Sequence, residues 1–99
     1  MAFEMYFDDH HETIEHHEEF LFALIPNSVI FPELSRLWQA FYDSPTLQPD
    51  QANQLVHELI QLLAHNDPGN PVLTRVIIRL LQFFSGAYLS KADIECVSD

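Results

Sequence analysis

Three apolar stripes of helical period, each opened by a proline, constrain this 99-residue chain more than any other feature. After Pro32, the residues Leu34, Leu37, Trp38 and Phe41 recur at i, i+3, i+4 and i+7, the spacing that lines one face of an α-helix. After Pro49 and Asp50, a second stripe runs through Ala52, Leu55, Val56, Leu59, Leu62 and Leu63. A third follows the N-cap pair Asn70-Pro71, through Val72, Leu73, Val76, Ile77, Leu80, Leu81 and Phe84. Proline suits the first turn of a helix, where its missing N–H has no intrahelical partner to lose. Asp43-Ser44-Pro45 closes the first of these helices, and His65–Pro71 (HNDPGNP) reads as a loop. The last helix is expected to reach about Leu89, or to stop near Gly86.

The first quarter of the chain is different. Seven of the fifteen acidic residues fall within the first nineteen positions, which contain no Lys or Arg. Residues 1–7 alternate Phe3, Met5 and Phe7, the period of a short strand or an ordered arm. Asp9 then reads as an N-cap with Glu12 three residues on, which predicts a helix from there to about Ile25, ahead of Pro26. Ile94, Cys96 and Val97 predict a short final strand that pairs with residues 3–7. The expected fold is all-α: one domain over residues 1–99, a compact bundle of about four helices with a two-stranded pairing of the terminal segments.

Several functions fail on residue chemistry. Four basic residues, Arg36, Arg75, Arg79 and Lys91, cannot neutralise a nucleic-acid backbone, so no nucleic-acid partner is expected. With only Gly69 and Gly86 there is no glycine-rich phosphate loop, and Ser28, Ser35, Ser85 and Ser90 lie in no Gly-x-Ser-x-Gly elbow. Cys96 has no sequence-local activator and reads as a small, half-buried hydrophobe in a reducing, cytoplasmic setting. The longest apolar run, Phe20–Ile25, is far short of the roughly 20 residues that span a bilayer. An enzyme is not expected, nor a cofactor.

The cluster HHETIEHHEE (residues 10–19) carries the histidine signal. On a helix, Glu12, His16 and Glu19 would share a face, as would His11, Glu15 and Glu18. A metal-handling domain using His10, His11, His16 and His17 is one reading. The spacing argues against a catalytic centre, because residues 11–15 read His-Glu-Thr-Ile-Glu where a zinc helix needs His-Glu-x-x-His. A solvated, acidic helix start explains the same residues, and a pH-sensitive face is a further option. Trp38 reads as core, His57 and His65 as surface, and Arg75 and Arg79 as partners for acids of the chain itself.

A net charge of −11 on a chain with twelve aromatics favours a folded, acidic surface that attracts cationic partners. Glu12, Glu15, Glu18 and Glu19 are the candidates for steering such a partner, with Tyr42 and Asp43 as contact residues. The stretch Phe31–Asp43 (FPELSRLWQAFYD) looks like the Phe-Pro-Glu-Leu…Tyr segment of some immunity proteins of bacterial contact-dependent growth inhibition. Residues Leu55–Leu63 (LVHELIQLL) are similar in character to the helix that follows there, while HHETIEHHEE and the ending IECVSD lie outside the pattern. More broadly the chain resembles the small acidic helical immunity proteins that neutralise nuclease toxins. That resemblance implies a non-catalytic inhibitor whose acidic helix and tyrosines dock on a basic toxin, with Tyr42 and Asp43 in the comparable context. The other class of expectation is a subunit of an oligomer or homodimer, in which Met1–Phe7 pairs with another chain as an edge strand.

Overall fold

The computed structural model describes residues 2–25, 30–65 and 70–98. Its chain order is β1 (Ala2–Phe7), β2 (His10–Glu15), a 3-10 turn (His16–Glu18), α1 (Phe20–Ala23), α2 (Pro32–Gln39), β3 (Thr46–Leu47), α3 (Pro49–His65), α4 (Pro71–Leu89) and β4 (Ile94–Ser98). The strands form one antiparallel sheet in the order β2-β1-β4-β3. The fold is α+β, which overturns the all-α expectation.

The correction lies in residues 8–19. Asp8 and Asp9 are the two-residue turn of a β1–β2 hairpin, with Phe7 opposite His10 and Phe3 opposite Ile14. Asp8 adopts a left-handed backbone (φ 49°), which Asp tolerates better than most residues. Asp9 therefore caps no helix, and the supposed helix from Asp9 to Ile25 shrinks to the 3-10 turn and the single turn of α1. The physical reason is period two. Glu12 and Ile14 lie on the face of β2 that meets the helices, and His11, Thr13 and Glu15 lie on the other. A strand that needs one fully buried apolar residue gives almost no hydrophobic signal in its sequence. The Pro26 stop and residues 66–69 of the predicted loop lie outside the described residues.

The terminal strands behave as their alternation predicts. Phe3, Met5 and Phe7 of β1 and Ile94 and Cys96 of β4 are buried, and the two strands pair antiparallel with Met5 opposite Cys96. Because β1 lies between β2 and β4, it is an interior strand and offers no edge to another chain. The edge-strand route to a homodimer through residues 1–7 is thereby removed.

One face of the sheet packs on the α3–α4 hairpin, whose inner residues Leu55, Leu59, Leu62, Leu73, Val76, Ile77, Leu80 and Phe84 join the strand residues in a single core. α4 runs unbroken through Gly86 to Leu89. A Cβ at Gly86 would stand 3.3 Å from Cζ of Phe7, so glycine allows the hairpin to close onto the helix. α4 is also long and apolar enough to cross a membrane by length and composition, with a mean hydropathy of 1.4. Its seven buried residues form the packed face of a core helix instead.

α2 is shorter than its stripe, ending at Gln39, with Phe41 buried beyond the helix in the turn that follows. Its N-terminus has no side-chain cap of its own, since Phe31 holds that position. Glu58 of α3 supplies the acceptors. Its Oε1 accepts from Leu34 N at 2.9 Å, and its Oε2 accepts from Glu33 N at 3.0 Å and from Gln54 Nε2 at 3.0 Å. At 3% exposure, Glu58 is one of two buried charged residues among those described, and these bonds account for its burial.

Candidate functional site

Among the described residues no helix covers the outer face of the sheet. Alternation places Glu4 and Tyr6 of β1, His11, Thr13 and Glu15 of β2, Thr46 of β3, and Glu95 and Val97 of β4 on this side. Three carboxyl groups share it, and no Lys or Arg occurs in any of the four strands. The polar groups hold one another in place. Glu4 Oε1 stands 3.2 Å from His11 Nε2 and accepts from the Tyr6 hydroxyl at 3.2 Å, while the Tyr6 and His11 rings stack with centroids 4.5 Å apart. Thr46 Oγ1 donates to Glu95 Oε2 at 3.1 Å. Desolvation first, and Glu4 after it, push the Tyr6 hydroxyl above its ordinary pKa.

A second patch adjoins one end of this face. Ser98, at the end of β4, exchanges hydrogen bonds with Ser44 (Ser44 N to Ser98 Oγ 2.9 Å, Ser98 N to Ser44 Oγ 3.0 Å) and donates from Oγ to Phe41 O. These bonds fasten the Tyr42-Asp43 turn to the sheet. The Tyr42 hydroxyl donates to Glu19 Oε1 at 3.4 Å, which joins two residues 23 positions apart. Desolvation first, then the Glu19 carboxylate, raise the Tyr42 pKa. Trp38, expected in the core, is 40% exposed. One ring face stacks on Phe22 at 4.7 Å, and its edge meets Phe41 at 5.1 Å. Packed on Phe22 and Phe41 and otherwise open, Trp38 seals the core from outside.

The six sequence candidates separate into two groups. Glu15, Glu19, Tyr42 and Asp43 lie around the junction of the open face and the α2 turn, with Glu15, Tyr42 and Asp43 exposed and Glu19 partly so. Glu12 and Glu18 face inward to Arg79 of α4. Glu18 is 6% exposed and receives two guanidinium bonds, from Nη1 at 2.8 Å and Nη2 at 2.6 Å. Arg79 Nε stands 2.9 Å from Glu12 Oε2. The Arg79 bonds hold the Glu18 carboxyl below its usual range against the opposing effect of burial, and Glu18 in turn raises Arg79. Two carboxylates share one guanidinium, so the cluster presents about one negative charge in place of two, and Glu18 is buried away from any partner. Sequence reasoning missed Glu4, Tyr6 and Glu95 as surface residues; the alternation of β1 and β4 was the available signal.

The histidines do not converge. Adjacent strand positions place His10 against Phe7, with rings 4.7 Å apart on the helix side, and His11 on the opposite face. His16 Nδ1 lies 3.1 Å from Glu19 Oε2 in the turn beyond. Among the described residues no three His, Cys, Asp or Glu side chains are grouped to hold a metal ion. The helical faces drawn for the cluster do not exist, because residues 10–15 are extended and only His16–Glu18 form a 3-10 turn.

Cys96 is buried on the inner face of β4, and burial together with Glu95 pushes its thiol up to about 12. A recess of about 560 Å³ is an open groove between the start of α3 and the end of α4. Gln48, Pro49, Asp50, Tyr88, Leu89, Lys91 and Asp93 line it, a set without His, Cys or Ser. Comparison with protein-family models, with the curated proteins and with the solved structures finds no match.

Proposed function

We propose that the chain is a non-catalytic, cytoplasmic inhibitor of immunity or antitoxin type, which neutralises a cationic toxin domain by covering part of its surface. The observation that carries this reading is the open sheet face, where Glu4, Glu15 and Glu95 stand without a single Lys or Arg on a chain of net charge −11. A cationic surface that binds RNA or DNA fits such a face, because carboxylates present charge where phosphates would lie. Glu19, Tyr42 and Asp43 extend the face with an aromatic contact at its end. Glu12 and Glu18 leave the steering set and take a structural role.

The test begins with affinity capture from host lysate on a neutral handle, then reconstitution with the purified partner. The expected result is a one-to-one complex that abolishes the partner's activity, with an association rate that falls steeply as salt screens the charges beyond about 8 Å. Reversing Glu4, Glu15 and Glu95 to Lys should slow association by about tenfold or more, within the range that electrostatic steering spans, while leaving the fold intact. A partner that keeps full activity in the complex, or an association rate indifferent to salt and to the triple reversal, would refute the proposal.

A further inference from the structure

β2 is an edge strand of six residues, and such a strand ordinarily offers a row of unpaired N–H and C=O groups to any passing strand. Here the middle of the row is occupied, at Thr13 and at the Glu15 N–H. In an antiparallel ladder the groups that point away from the partner strand belong to alternate residues, so His11, Thr13 and Glu15 share one direction. Thr13 N donates to Glu12 Oε2 at 2.9 Å, Thr13 O accepts from Arg79 Nη2 at 2.9 Å, and Glu15 N donates to Glu18 Oε1 at 2.9 Å. Every one of these partners belongs to the Arg79–Glu12–Glu18 cluster, which reaches round the edge from α4.

We propose that Arg79 closes the outer edge of β2 against strand addition, and that the strand it excludes is β2 of a second copy of this chain. Two copies of β2 paired antiparallel about Thr13 are complementary. Each Thr13 would exchange both backbone hydrogen bonds with the Thr13 of the second copy, and His11 of each would stand opposite Glu15 of the other, a ring nitrogen facing a carboxylate. The pairing would continue the four-stranded sheet into the second copy. Only a forked guanidinium bonds Glu18 twice and still reaches the Thr13 carbonyl, so lysine at the same position keeps the buried charge but cannot close the edge. The inference is independent of which partner the open face binds.

Sedimentation and amide hydrogen exchange on wild type, Arg79→Lys and Arg79→Ala test it. Wild type is expected to be monomeric, with Thr13 and Glu15 amides protected and the His11 amide exchanging fast. Arg79→Lys should self-associate at least roughly tenfold more tightly than wild type. Adding Thr13→Pro, which removes the central N–H, or His11→Glu, which sets like charges opposite, should return it to monomer. A folded Arg79→Lys chain that stays monomeric overturns the proposal, as does a dimer that survives Thr13→Pro. Wild-type Thr13 exchanging as fast as His11 also overturns it, and this readout stands even where Arg79→Ala fails to fold.

Discussion

Replacing Glu58 with alanine tests whether α2 is held by a cap supplied from another helix. Phe31 offers no acceptor at the start of α2, so the substitution leaves the Leu34 and Glu33 N–H groups and the Gln54 amide without their partner. Loss of a helix cap costs about 1 kcal/mol. Leaving a buried donor such as the Leu34 N–H unsatisfied adds about 2 kcal/mol. The expected destabilisation is therefore roughly 3 kcal/mol, a large share of the 5–15 kcal/mol that holds a typical domain. For a domain of this length it lowers Tm by roughly 12–24 °C, at about 4–8 °C per kcal/mol. Trp38 is the only tryptophan and lies on α2, so its fluorescence follows this helix while far-UV circular dichroism follows the whole chain. Denaturant titration should show the midpoint falling in both signals. A transition of Trp38 that precedes the other would mean that α2 detaches first. Glu58→Gln keeps one acceptor oxygen and should lose about half as much. A Glu58→Ala loss below about 1 kcal/mol with coincident transitions would show that water or a neighbour replaces the cap, and would refute the reasoning.

Two further outcomes follow from the buried groups. The Glu18 carboxyl has a lowered pKa in the folded chain, so its contribution to stability is present above the unfolded value and is lost as pH falls through the folded one. Glu18→Gln leaves Arg79 with Glu12 as its carboxylate partner, so it should cost about 2 kcal/mol at neutral pH, the scale of a hydrogen bond to a charged group, and should flatten the acid limb of the stability profile, which equilibrium unfolding across that range would register. Cys96, with its thiol pushed up to about 12, should resist thiol reagents at neutral pH in the native chain. Its modification should run at the rate of opening of the β4 region, and fast labelling under native conditions would contradict its burial.

Legibility in the sequence followed the range of the forces involved. The stripes after Pro32, Pro49 and Pro71 were readable because a helix repeats its own period over many residues, and α3 and α4 begin where the prolines place them. β1 and β4 were readable because both alternate a buried with an exposed residue. β2 was not, because only Ile14 of its six residues is fully buried and its Asp-Asp turn lacks the glycine that usually marks a hairpin. A run of Glu and His there has as good a claim to helix, and the pairing with β1 overrode that local preference. Trp38 was assigned to the core on periodicity alone. Tertiary packing covers only part of its ring, against Phe22 and Phe41, and leaves the rest outside.

The sequence by itself determined the long helices, the terminal strands and the acidic character of the surface, since each depends on neighbours in the chain or on composition alone. Tertiary structure decided which acids remain available. Glu18 meets Arg79 across 61 positions and Glu58 meets α2 across 24, whereas Glu4, Glu15 and Glu95 face solvent without a cation on their strands. A carboxylate's charge is visible in the sequence. Whether it is neutralised depends on what the fold brings within about 4 Å of it, and that distance is set by packing between elements far apart in the chain.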